Sequence, residues 1–495
     1  MELKKNKIVI IALVLVAVVI FVGPAIILID KDKKEGSPCE WDTFTAENGE
    51  EIHASEHYFA MGEASFKNED YDNAVGYFEK SLGLYSKELG CWKEDEKARI
   101  NASKAGIMAS YNYLGAIYVV NRQYENGTQY YIKAIGMANE IGDNESAGDI
   151  YYALGAAYNS DNKNTLAMDA YNNSLNIKMQ NYDKNKEDVA KIYEAMGNCS
   201  YSARRYEEAV QYYNKLLEIR KESGNREEVS HVLDLYLRVG RGYMEAGDYF
   251  KALDFYNEVL KLKEEGGFDI KDARMGIADA KYYIGSDHVA GGDYGQAVMY
   301  YQESQGIKED YSDDADVKRS IAEINFRSGV IFGDMSATAG IIFYYDDSLN
   351  ESVKVSIPNT SRAILYYNDA LDVYWELERM GELDVDGERR IGEVYFNLGA
   401  MYLEDDQYEK ANDEYNRALE AYNKLNLSAD QPRISDIYFY MGYCFHSLMD
   451  YTSRANAVKY YDKSLEIKNE LESKGQDVGG VSIDIVLKNK AHASY

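Results

Sequence analysis

Nine glycines set the rhythm of the chain: Gly62, Gly115, Gly155, Gly197, Gly240, Gly285, Gly329, Gly399 and Gly442. Most follow an apolar residue. In seven copies an Ala, or once Gly127, comes twelve residues later, an aromatic four further on, and a small or apolar residue three beyond that. Thus Gly285 is followed by Ala297, Tyr301 and Ser304. Gly329 and Gly442 reach the same set, at Ala363, Tyr367, Ala370 and at Ala457, Tyr461, Ser464, through insertions. Positions i, i+4 and i+7 share one helix face. Glycine and alanine let two helices approach closely, and the ring fills the space beside them. Short turns such as "EAGDY" and "EDDQY" join the two helices of each copy. A fixed period of this kind excludes a single globular core, because each unit buries its apolar face only against its neighbours. Composition agrees: 495 residues hold 4 prolines and 47 tyrosines, with few breakers of helix.

The pattern apolar-Gly-x2-Tyr, then Ala-x3-aromatic, then Ala or Ser resembles the tetratricopeptide repeat family. "NLGAMYLEDDQYEKANDEYNRAL", from Asn397 to Leu419, is a close match. The resemblance implies an all-α fold, a right-handed superhelical solenoid of antiparallel helix pairs. Anchor glycines are mostly 40 to 45 residues apart, which resembles the longer repeat variant of kinesin light chains. The family's Pro at the repeat end is absent. The first gap is 53 residues and contains Cys91 and Trp92. Near 333–362 an insertion separates the helices of the seventh copy, and its "IIFYY" and "VKVSI" read either as two strands or as extensions of the flanking helices. The expected layout is an anchor over 1–35, a linker over 36–54, repeats over 55–475, and a C-terminal cap or tail over 476–495.

Residues Ile8 to Ile29 form 22 uncharged residues, the length of a membrane-spanning helix. Lysines on both sides nearly tie, so charge bias does not orient it. Eight N-x-[ST] sequons do. They favour a single-pass protein with a cytoplasmic N-terminus and glycosylated repeats outside, as on an archaeal cell surface. Asn101, Asn126, Asn144, Asn350, Asn359 and Asn426 are the candidate glycan sites. Cys39 and Cys91 flank the first repeat and are candidates for a disulfide; the alternative is that all 4 cysteines are free.

No histidine or cysteine has metal-ligand spacing, and no phosphate loop, nucleophile elbow or kinase signature occurs. Neither catalysis nor a cofactor is expected. A net charge of −30 argues against nucleic acid as a partner. What remains is protein or peptide binding. The resemblance places the groove on the first helix of each pair. Three residues before the anchor glycines come Tyr152, Tyr282, Phe326, Phe396 and Phe439 among others; six before come Asp149, Asp234, Asp279, Glu323, Glu393 and Asp436. Together they read as an aromatic rail beside an acidic rail, suited to a basic and apolar segment. Arg238, Arg241 and Arg327 are placed to hold a carboxylate. The competing reading makes the aromatics packing residues and the acids helix-dipole partners. Two further functions compete with a binding scaffold: a self-assembling surface spacer and an accessory subunit of a membrane complex.

Overall fold

The computed structural model describes residues 43–45, 51–333, 341–346, 351–356, 359–425, 428–448 and 451–494. A short hairpin comes first, with β1 (Thr43–Thr45) antiparallel to β2 (Glu51–His53). Helices follow in pairs: α1 (Ala54–Lys67) with α2 (Tyr71–Cys91), α3 (Lys97–Val120) with α4 (Tyr124–Ile141), α5 (Asn144–Ser160) with α6 (Asn164–Met179), and α7 (Tyr182–Ser202) with α8 (Tyr206–Ser223). The chain divides into two compact units, Met1–Gly242 and Tyr243–Tyr495, inside α9 (Arg226–Glu245). In the second unit, α10 (Tyr249–Gly266) precedes the pairs α11 (Lys271–Ala290) with α12 (Tyr294–Glu309), α13 (Ala315–Gly333) with α14 (Thr360–Met380), α15 (Val385–Glu404) with α16 (Tyr408–Leu425), and α17 (Gln431–Ser447) with α18 (Tyr451–Ser473). A last helix, α19 (Ile483–Ala493), buries Val486 and Ala493 in one apolar cluster with Phe439 and Tyr461.

The glycine–aromatic spacing is explained at the helix crossings. A Cβ built on Gly115 would lie 2.8 Å from the Tyr131 ring, one on Gly285 2.8 Å from Tyr301, and one on Gly399 2.7 Å from Tyr415. Gly62, Gly155, Gly197, Gly329 and Gly442 meet Phe78, Tyr171, Tyr213, Tyr367 and Tyr461 in the same way. The partner alanines Ala74, Ala167, Ala209, Ala297, Ala363, Ala411 and Ala457 are all fully buried. The rings themselves are buried, Tyr301 and Tyr415 completely. Of the four copies with serine at the third position, that of Ser464 leaves its buried hydroxyl without a partner among the described residues. In the other three the hydroxyl crosses to the partner helix: Ser81, Ser174 and Ser304 donate to the carbonyls of Ser55, Gly148 and Ala278, at 2.9, 2.7 and 2.7 Å. A buried hydroxyl is thereby satisfied at a site where its neighbours carry alanine.

The turns inside the pairs repeat a backbone device. Two residues before the second helix, the chain adopts a left-handed conformation, at Glu69, Arg122, Asn162, Arg204 and Asp406 as well as Gly247 and Gly292. The next residue is often an aspartate that caps the helix. Asp70, Asp248 and Asp293 accept from the backbone N–H groups of Asn73, Lys251 and Gln296.

In the insertion, the structure shows strands, not longer helices. β3 (Ile341–Asp346) pairs antiparallel with β4 (Glu351–Ser356), Ile341 opposite Ser356 and Asp346 opposite Glu351. β3 lies against α12. The expected localisation is corrected. Among the described residues no helix is long and apolar enough to cross a membrane, so a single-pass protein with its repeats outside is not upheld. The stretch 8–29, whose hydropathy raised that expectation, lies outside the described residues.

Tyr301→Ala is expected to cost about 3–5 kcal/mol in chemical denaturation of the full chain, the range for emptying a buried aromatic site. Arg204→Gly is expected to gain about 1 kcal/mol, because a β-carbon is strained at its φ of 58°.

Candidate functional site

The expected acidic rail has cations of its own. Asp149, on α5, is 7% exposed and ion-paired with Lys178, at the end of α6, itself 1% exposed. Burial pushes the Asp149 carboxyl up to about 6, against the pull of Lys178. Lys308 Nζ lies 2.5 Å from Asp279, and Lys468 Nζ 2.7 Å from Asp436. Asp436 also accepts from the backbone N–H groups of Gly480 at 2.7 Å and Val481 at 3.3 Å, fixing the segment that leads into α19. Asp234 is exposed.

A rule hidden in the sequence accounts for these pairs. Each lysine stands eleven residues after its copy's alanine: Lys178 after Ala167, Lys308 after Ala297, Lys468 after Ala457. Lys263 has the same place after Ala252, in the copy whose rail residue is Asp234. Where the rail holds glutamate, at Glu56, Glu323 and Glu393, that place holds Tyr85, Tyr374 and Tyr422. Where it holds Ala109, the counterpart is Ala138. The two positions are matched for charge and size in eight copies; the copy of Gly197 departs, with Lys191 and Arg220 at these places and Arg220 paired with Glu187 and Glu228 instead. Aspartate needs the reach of a lysine, whereas two alanines need nothing.

The aromatic rail packs largely against the second helix of its own pair. Tyr152 lies 5.7 Å from Tyr171, Phe326 6.1 Å from Tyr367, and Phe439 5.7 Å from Tyr461, centroid to centroid. Tyr152, Phe326 and Phe439 are buried, while Tyr282 and Phe396 remain half-buried.

In the second unit, arginines cover this rail. Arg327 lies 5.5 Å above Tyr282, Arg390 4.3 Å above Phe326, and Arg433 4.6 Å above Phe396. Arg390 and Arg433 each stand nine residues before their own anchor glycine and reach back to the ring three before the preceding one. His231 makes the same step in the first unit, its Nε2 3.2 Å from Glu194. Glu323 accepts from Arg327 Nε at 2.8 Å and faces Arg390 Nε at 3.1 Å, while Glu393 binds the far side of Arg390. The result is an alternating strip of rings, guanidinium groups and carboxylates. Arg433, exposed at its end, has no carboxylate partner among the described residues. Burial comes first in pushing the Tyr282 hydroxyl up to about 12, so it stays protonated as a donor.

Among the other expected residues, Arg238 bonds to Asn198 and, at 2.8 Å, to the Tyr213 hydroxyl, with its guanidinium 4.6 Å above Tyr201. Arg241 is exposed. Asn101, Asn126 and Asn144 are exposed, and Asn359 caps α14 by accepting from Arg362 N–H at 2.8 Å. Asn350 and Asn426 lie outside the described residues, as does Cys39. Cys91 is disulfide-bonded, and Cys199 and Cys444 are free and buried.

The family model described as "Tetratricopeptide repeat" matches residues 188–265, and a second model of that description matches 56–88 and 392–425. These stretches are tetratricopeptide repeats. No curated protein matches the chain. Solved structures similar to it include BtubC (BKLC) from P. vanneervenii, 18% identical over 47% of this chain and 92% of that one, with a TM-score of 0.27. A putative kinesin light chain from Podosopora anserina is 13% identical over 43% and 97%, with a TM-score of 0.32. Apo RapI is 14% identical over 75% and 98%, with a TM-score of 0.29.

Lys468→Ala strands a buried carboxylate and is expected to cost about 3–5 kcal/mol in chemical denaturation, while joint replacement of Lys468 and Asp436 by apolar residues of similar volume is expected to recover much of the loss.

Proposed function

We propose that the chain is a protein-binding scaffold whose second unit holds an extended peptide segment along the strip Tyr282, Arg327, Phe326, Arg390, Phe396 and Arg433. The observation that carries this reading is the stacking of three guanidinium groups on the faces of three rail rings. A stacked guanidinium turns its planar edge to carboxylates: Arg327 and Arg390 meet Glu323 and Glu393 of this chain, Arg433 keeps its edge for a partner, and the half-buried rings Tyr282 and Phe396 offer apolar contact. An acid of the segment then meets the edge of Arg433, and its apolar side chains meet the rings of Tyr282 and Phe396.

The partner that fits carries carboxylates and apolar side chains. A basic segment fits less well, since Asp279, Asp436, Glu323 and Glu393 already face cations of this chain. Arg433 supplies the uncommitted positive charge.

Panning a random peptide library against the full chain tests the reading. Enriched peptides are expected to carry Asp, Glu or a free C-terminal carboxylate beside apolar residues, and Arg433→Glu is expected to abolish the enrichment. Enrichment of Lys- and Arg-rich peptides, or selection unchanged by Arg433→Glu, contradicts it.

A further inference from the structure

Between α12 and α14, with α13 along one side, lies a cleft of about 510 Å³. It shares no residue with the arginine strip. That size falls within the usual range for small-molecule sites, about 300–1,000 Å³. Glu309, Asp369, Asp372 and Glu376 bring four carboxylates to its walls, and Lys318 brings one ammonium group. Lys318 Nζ is committed, 2.5 Å from Glu376. Glu309 accepts from the amide of Gln305 at 2.9 Å, which leaves its charge unbalanced. Asp369 and Asp372 have no ion-pair partner among the described residues. Burial raises the Asp369 carboxyl and the charge of Asp372 raises it further, with Arg362 offsetting only part of this.

A second, independent feature points to a ligand. Asn325 lines the cleft, is 2% exposed, and has no hydrogen-bond partner for its Oδ1 among the described residues. A buried amide oxygen left unpaired is costly, and a donor entering the cleft would satisfy it. Ile321 and Val373 add apolar wall between the charged groups. The described residues offer no cluster of three His, Cys, Asp or Glu placed to hold a metal ion. Cation, hydrogen-bond donor and methylene surface are therefore wanted in one ligand. An alkylammonium provides all three, with up to three donors on each nitrogen.

We propose that this cleft binds a linear polyamine, its ammonium groups neutralising Asp369, Asp372 and Glu309 and donating to Asn325, and its methylenes lying on Ile321 and Val373. The site is separate from the peptide strip, so each can stand without the other.

Isothermal titration of the full chain with spermidine, near physiological ionic strength, tests the proposal. Saturable binding at one site per chain is expected. Asp369→Asn with Asp372→Asn should weaken it at least about tenfold, the scale of losing charge-assisted hydrogen bonds. Asn325→Leu should weaken it as well. The same charge change at Asp413 and Glu420, both exposed and outside the cleft, should leave it intact. Circular dichroism melting confirms the fold of each variant, and the exposed Asp372→Asn alone serves if the double variant unfolds. Uptake that never saturates, equal weakening by the Asp413 and Glu420 pair, or tighter binding of a tri-lysine peptide than of spermidine overturns it.

Discussion

An aromatic ring lying on a glycine of the facing helix is the contact from which the rest of this architecture follows. With a Cβ on the glycine, the nearest ring atom would sit 2.3 to 2.8 Å away in the eight pairs from Gly62–Phe78 to Gly442–Tyr461 where the crossing is described. The helices are therefore as close as backbone and ring allow. That closeness fixes the remaining positions. The flanking alanines have no room to be larger, Ser81, Ser174 and Ser304 at the third position reach the opposite carbonyl, and the far end of the second helix comes beside the rail residue of the first. Burying one such ring contributes about 1.5–3 kcal/mol, so tyrosines recur in this chain first as packing residues.

The second consequence concerns charge. Once the helices are locked, the rail position and the end of the second helix are matched in every repeat but that of Lys191 and Arg220. Asp149 with Lys178, Asp279 with Lys308 and Asp436 with Lys468 are one solution. The glutamate–tyrosine and alanine–alanine combinations at the same two places are others. Much of the acidity that seemed available to a partner is thus internal to the fold. The rail of the second unit carries a different chemistry, arginines spread over rings, and the proposal of a carboxylate-bearing segment rests on it.

The helix pairs were legible in the sequence because their signal is local: glycine, alanine and aromatic recur at spacings of one helix face. Their turns were partly legible, since only Gly247 and Gly292 advertise a left-handed residue, while Arg122, Arg204 and Asp406 hide one. The candidate site was harder to read. Lys178 and Lys308 are each 29 residues from their acids, and only comparison of all copies reveals the matched substitutions. Arg390 and Arg433 act on the preceding repeat's ring, so no reading of single copies assigns them. The insertion's strands were one of two readings that periodicity could not separate, and pairing decided between them. The cleft beside Asn325 assembles residues of three helices, α12, α13 and α14, with no shared motif. The membrane expectation rested on the uncharged stretch 8–29 and its orientation on the sequons, and the described helices do not uphold it.

The ring-on-glycine contact is tested most directly by a double-mutant cycle on Gly285 and Tyr301, read by chemical denaturation of the full chain. Gly285→Ala should destabilise the chain by about 1–3 kcal/mol when Tyr301 is present, since an inserted methyl overpacks the crossing. In a Tyr301→Ala background the same change should cost little or nothing, giving a coupling energy above about 1 kcal/mol. Additivity within about 0.5 kcal/mol would contradict the account.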